Sequence, residues 1–208
     1  PLYSFIKPLV NKVFMKAFKP AFVPKLDFKD GIPESCRTVT VMPALIDDEK
    51  AAAELLEDLE VYHIANQDEN LFFALLADFK DAAYEISEEE RQIVRGVEER
   101  VKALNEKYGR EIFFYCHRKR KFIPEENKYM GEERKRGALL AFCALLKGRG
   151  QEAFLNEGVS VPKNVAYVIT LDADTQIPRD AAKKLIGAMA HPLNRPVLNE
   201  EKTAVVKG

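Results

Sequence analysis

Tryptophan is absent from the 208 residues, and histidine and cysteine occur three times each. His63, His117 and His191 show no metal-ligand spacing, so no histidine-based metal site is indicated. Cys36, Cys116 and Cys143 are odd in number and widely scattered. That fits buried free thiols in a reducing compartment better than a disulfide framework or a zinc site. No run reaches the roughly 18 apolar residues that a membrane-spanning helix needs. No secretory signal is visible. An excess of either charge is missing too. The chain carries 32 basic against 33 acidic residues, so no global field draws it to nucleic acid or to an anionic membrane.

What is present is enough apolar material for a sizeable core, 47% of the residues. The length suits one α/β domain or most of a larger one. The chain opens on Pro1 and closes on "TAVVKG", which looks like a strand being entered. It therefore reads as a piece of a longer protein, truncated at its C-terminus.

Residues 1–25 stand apart. Phe5, Ile6, Leu9, Val10, Val13, Phe14, Ala17 and Phe18 recur at helical spacing, Lys7, Lys12, Lys16 and Lys19 fall mostly elsewhere, and no acid precedes Asp27. This is a basic amphipathic helix. Two settings suit it: packing on its own domain or a neighbour, or lying along an anionic membrane surface. Pro20, Pro24 and Pro33 mark a hinge behind it.

From there strand and helix alternate. Strands are expected at 38–45, 71–79, 111–117 and 165–171. The helix at 48–65 begins at Asp47 or Asp48, with Leu55, Leu56, Leu59 and Ile64 on one side. "SEEE" at 87–90 is a capping box opening a helix through Val97, Val101 and Leu104 that Gly109 stops. Further helices are expected at 132–147, stopped by Gly148, and at 179–190. Residues 118–131 read as a polar loop. The strands show little alternation, as in a mostly parallel sheet with helices on both faces.

In such sheets ligands bind at the carboxyl ends of the strands. There stand Pro43-Ala44-Leu45, then Asp78, then His117 followed by "RKRK", then Asp172 and Asp174 in "VITLDADTQIP". Two carboxylates one residue apart at a strand end suit a hard cation shared with substrate phosphates. A helix N-cap pair before "RDAAKKL" is the plainer alternative. A phosphatase D-x-D-x-[TV] motif fails on Gln176, and a calcium loop fails on the residues after Asp174. "HRKRK" reads as a solvated loop, part of it facing the site, "SEEER" as helix surface, and His191 as structural.

Four ordered blocks carry a family resemblance: "KLDFKDGIPESCRTVTVMPAL", "LEDLEVYHIANQDENLFFALLADF", "MGEERKRGALLAF" and "LDADTQIPRDAAKKLIGAMAHPLNRP". They resemble the glycosyltransferase domain of cyclic β-1,2-glucan synthases, from about Pro24 onward. More distantly, the pattern is similar to processive inverting glycosyltransferases of the GT-A fold. The resemblance implies a Rossmann-like GT-A sheet over residues 26–208, the part that binds the nucleotide sugar. It implies UDP-glucose as donor and a growing β-1,2-glucan as acceptor. Asp172 and Asp174 would hold Mg²⁺ or Mn²⁺ and the donor diphosphate. Asp78 would contact the nucleotide base. Pro43 and Ala44 would form the first nucleotide-facing loop. Arg134, Lys135 and Gly137 would lie near the donor at a helix start. The setting implied is the cytoplasmic face of a bacterial inner membrane. Tyr129 and Glu132 stand where that family's tryptophans are expected. The acceptor-activating aspartate of the class lies beyond the D-x-D, outside this segment. A noncatalytic nucleotide-sugar-binding module, or a structural interaction domain of a larger membrane protein, is the alternative.

Overall fold

The computed structural model describes residues 2–18, 22–156, 158–201 and 203–207. Expectations resting on Lys19, Pro20 and the side chain of Phe5 lie outside the described residues. The elements in chain order are α1 (Leu2–Ala17), β1 (Thr38–Leu45), α2 (Glu49–Ala65), β2 (Leu71–Asp78), α3 (Glu88–Tyr108), β3 (Phe113–His117), β4 (Lys121–Ile123), β5 (Lys128–Met130), α4 (Arg134–Leu146), β6 (Tyr167–Thr170), α5 (Ala181–Ala190), β7 (Val197–Leu198) and β8 (Val205–Lys207). The chain forms two compact units, Asp27–Ile186 and Pro1–Leu26 with Gly187–Gly208.

The larger unit is built on a parallel sheet of order β3-β2-β1-β6. Its inner strands are almost continuously apolar because both faces are covered. On one face Val39, Val41, Ala74, Leu76, Phe114 and Cys116 pack under Ala138, Phe142 and Leu145 of α4. The opposite face meets α2 and α3. This is the Rossmann-like arrangement that the alternating pattern calls for.

Local signals explain the helix ends. The Asp48 carboxylate accepts from Ala51 N at 2.7 Å and opens α2. Ser87 and Glu90 complete a reciprocal capping box at α3, and Gly109 closes that helix in the left-handed region.

Four expectations need correction. Residues 118–131 are not simply a loop, because β4 and β5 pair there as an antiparallel hairpin. Within "HRKRK", His117, Arg118 and Arg120 are buried, not solvated. Ile64 is exposed, and the buried side of α2 carries Ala52, Leu56, Leu59, Tyr62 and His63. His63 fits there because the rings of Phe73, Tyr108 and Phe113 surround it edge-on. The last strand, β6, is only partly buried because it forms an edge of the four-stranded sheet.

Among the thiols, Cys36 and Cys116 are buried, Cys143 is half-buried, and all are free. In the smaller unit β7 and β8 pair antiparallel, so "TAVVKG" does enter a strand. Leu26 N donates to Gly187 O at 3.0 Å, and a side chain at Gly187 would strike the Leu26 carbonyl. His191 Nδ1 accepts from Leu193 N, capping a short turn as a structural residue.

Candidate functional site

The sheet order reverses between β1 and β6, and their mismatch in length opens a crevice. β6 pairs with β1 only from Thr38 to Val41, whereas β1 runs on beside β2 to Leu45. Leu171 N makes the last bond, to Val41 O at 2.9 Å, and the chain then turns away at Asp172–Thr175. By strand alternation the backbone of Pro43 faces the side that β6 has left, where a missing N–H costs nothing. In open α/β sheets this switch point is where ligands bind. Beside it, at the carboxyl ends of β1 and β2 and under the start of α4, lies a cavity of about 220 Å³ lined by Pro43, Ala44, Asp78, Gly131, Arg134 and Lys135.

One wall is a buried ion pair. Arg118 Nε and Nη2 donate to Asp78 Oδ1 and Oδ2 at 2.8 and 2.5 Å. The same guanidinium donates to the carbonyls of Glu132 (2.7 Å) and Arg134 (3.0 Å). It thereby fastens the loop before α4 to the end of β2. A Cβ at Gly131 would come within 2.5 Å of Arg118 Nη2 and 2.8 Å of Asp78 Oδ2. One at Gly137 would strike the Glu132 carbonyl and lie 2.8 Å from Arg118 Nη1. Gly137 is therefore required by the packing of Arg118, and it stands behind the cavity wall.

Arg134 lines the cavity but is held from outside. Its guanidinium spans both oxygens of Asp81, at 2.5 and 2.9 Å. Arg134 foremost, with Lys128, keeps the Asp81 carboxyl below its ordinary pKa. Lys135 points the other way, and its ammonium pairs with the Asp172 carboxylate.

Asp172 and Asp174 are exposed on the loop after β6. That loop is fixed from α2: Tyr62 Oη donates to Thr175 O at 3.1 Å, and Asp180 N donates to Ala65 O at 3.2 Å. Neither aspartate caps α5. The amide of Ala182 at the start of that helix donates instead to Asn66 Oδ1 at 3.1 Å. With the capping role filled by Asn66, both carboxylates are left for other work. Among the described residues no three or more His, Cys, Asp or Glu side chains gather as a metal cage. Two exposed carboxylates, one of them already facing an ammonium, match Mg²⁺ or Mn²⁺, which take one or two carboxylates and complete their shell with water and phosphate. The donor set fits such a cation.

The chain is 39% identical over 203 residues to the cyclic beta-(1,2)-glucan synthase NdvB of Rhizobium meliloti (strain 1021). It is related in sequence to a glucan synthase. The match takes in 96% of this chain and 7% of the length of that relative. No protein-family model matches the chain.

The structure thus brings Pro43, Ala44, Asp78, Arg134 and Lys135 around one cavity, joins Asp172 to it through Lys135, and leaves Asp174 on the adjoining loop. Sequence reasoning missed Arg118 and Arg120. Arg120 donates to Glu90 and to Tyr84 O, with its guanidinium over the rings of Phe79 and Tyr84. No local signal announced either arginine's burial, since the partners Asp78 and Glu90 lie 40 and 30 residues away. Beside them His117 is wholly buried, with Nδ1 on the Tyr115 hydroxyl at 2.6 Å and its ring against Phe79. Burial, with the Arg120 charge adding to it, pushes its pKa down to about 3. A larger cavity of about 670 Å³ runs along α3 and β3, away from these strand ends, and holds none of the expected site residues.

Proposed function

We propose that this chain forms the donor-binding part of a glucosyltransferase that takes UDP-glucose and extends a β-1,2-glucan with inversion, on a GT-A scaffold. The observation that carries the reading is the cavity at the carboxyl ends of β1 and β2, with Asp78 and Lys135 in its lining and Asp172 paired to that lysine.

Each residue has a role that its position suits. Pro43 and Ala44 offer a short, apolar floor for the nucleoside. Asp78, held rigid by Arg118, presents a fixed carboxylate edge to hydrogen-bond donors of a base. Lys135 sits in the first turn of α4, a helix with no side-chain cap and no acid in that turn. A lysine ammonium and an open helix N-terminus together favour a diphosphate. When the donor arrives, Lys135 exchanges Asp172 for phosphate oxygens. Asp172, released from that pair, and Asp174 would be the residues to hold Mg²⁺ or Mn²⁺. The bound cation supplies Lewis-acid stabilisation of the leaving diphosphate. The base that takes the acceptor hydroxyl proton lies outside these residues.

The test is incorporation of radiolabelled glucose from UDP-glucose by the polypeptide that carries this chain. Asp172→Ala/Asp174→Ala is expected to lower incorporation by at least about a hundredfold, the order of loss for removing a group that stabilises transition-state charge. Undiminished incorporation by that variant would refute the assignment.

A further inference from the structure

Helix α1 presents an apolar surface that nothing among the described residues covers. Leu9, Val13, Phe14 and Phe18 are 64, 61, 59 and 67% exposed. At the α-helical advance per residue, Leu9, Val13, Ile6, Ala17, Val10, Tyr3 and Phe14 fall in one arc of roughly 140°. No polar residue interrupts that arc. Lys12 and Lys16 border it on one side and Lys7 on the other. Phe14 and Phe18 stack at 5.7 Å on its border, and exposed Phe22 and Val23 follow.

The charge is as one-sided as the apolarity. Residues 1–26 hold five of the 32 basic residues and none of the 33 acidic ones, in a chain of net charge −1. α1 itself carries no acid on any face. No helix among the described residues is long and apolar enough to cross a membrane. A flat apolar arc, bordered by lysines and aromatics and free of acids, matches a surface that is apolar within and anionic at its rim.

We propose that α1 lies along an anionic lipid bilayer, with its apolar arc at the acyl boundary and Lys7, Lys12 and Lys16 on lipid phosphates. This docking is independent of the donor site.

Because the chain lacks tryptophan, Phe14→Trp places a single indole on the arc. The 208-residue variant is mixed with phosphatidylcholine vesicles, or with vesicles of equal phosphatidylcholine and phosphatidylglycerol. The expected result is a blue-shifted emission and co-sedimentation with the anionic vesicles only. Adding Lys7→Glu, Lys12→Glu and Lys16→Glu lowers that partitioning by about a hundredfold or more, from about a kcal/mol for each lysine lost. All these positions are exposed, and circular dichroism checks that the fold is kept. No shift on anionic vesicles, an equal shift on phosphatidylcholine alone, or unchanged binding by the triple glutamate variant would overturn the proposal.

Discussion

Arg118 grips both carboxylate oxygens of Asp78, at 2.8 and 2.5 Å, and both side chains are nearly buried. The pair joins the end of β2 to the start of β3's outgoing loop and, through two carbonyls, to the entry of α4. The crevice wall is therefore a single charged assembly. Breaking one side strands the other in a low-dielectric setting.

Arg118→Ala is expected to cost about 3–5 kcal/mol, the range for an unpaired buried charge. Arg118→Met combined with Asp78→Leu should recover most of that loss, since no charge is left behind. Urea unfolding of the two variants measures the difference. A single variant no less stable than the parent would show that the pair is not buried as described.

Gly137→Ala isolates the packing from the charge. In an ordinary helix interior alanine is favoured over glycine by about 1 kcal/mol. Here the new Cβ meets the Glu132 carbonyl and Arg118. The substitution should instead destabilise by about 1–3 kcal/mol, the usual cost of overpacking. Thermal melting beside Gly148→Ala, where nothing lies within 4 Å but φ is +70°, separates crowding from backbone strain.

His117 sets a pH dependence. Its folded pKa is lowered to about 3, chiefly by burial, from an ordinary 6.5. The unfolded chain therefore binds a proton first as pH falls. The neutral ring's contribution is complete above pH 6.5 and is lost as pH drops from there toward 3. The slope approaches about 1.4 kcal/mol per pH unit within that window. His117→Asn removes the titration, so its stability should fall less steeply between neutral and mildly acidic pH than the parent's. Parallel urea titrations would show this, and equal slopes would contradict it.

The thiols should divide by burial. Burial raises Cys116 to about 12 and leaves it with no accessible thiolate. A disulfide exchange reagent at mildly alkaline pH should label Cys143 well before Cys36 and Cys116, with all three reacting only after unfolding. Mass mapping of the labelled chain decides it.

Much of this was legible in the sequence because strands covered on both faces announce themselves. The runs that became β1 and β2 are uninterrupted apolar segments, and Ser87, Glu90 and Gly109 mark α3 by local chemistry alone. Long-range pairing was not legible. A run such as "HRKRK" looks solvated because arginine is rarely buried, and nothing nearby says that Asp78 and Glu90, 40 and 30 residues away, take two of its members inward. On α2 strict helical spacing from Ala52, Leu56 and Leu59 leads to His63, while apolarity alone favoured Ile64. The histidine belongs to the core because three aromatic edges receive it. The carboxylates at the strand end were visible in sequence. Their freedom was not, since the cap on α5 comes from Asn66 on a distant element.

In the proposed function the cavity at the ends of β1 and β2 grips a nucleoside diphosphate sugar through a cation on Asp172 and Asp174. Calorimetric titration of UDP and UDP-glucose into the chain, with Mn²⁺ and then with chelator, tests it most directly. The account predicts binding that needs Mn²⁺ and is lost in Asp174→Ala while the melting temperature is unchanged, because Asp174 is exposed. Binding indifferent to both the metal and the substitution would contradict it.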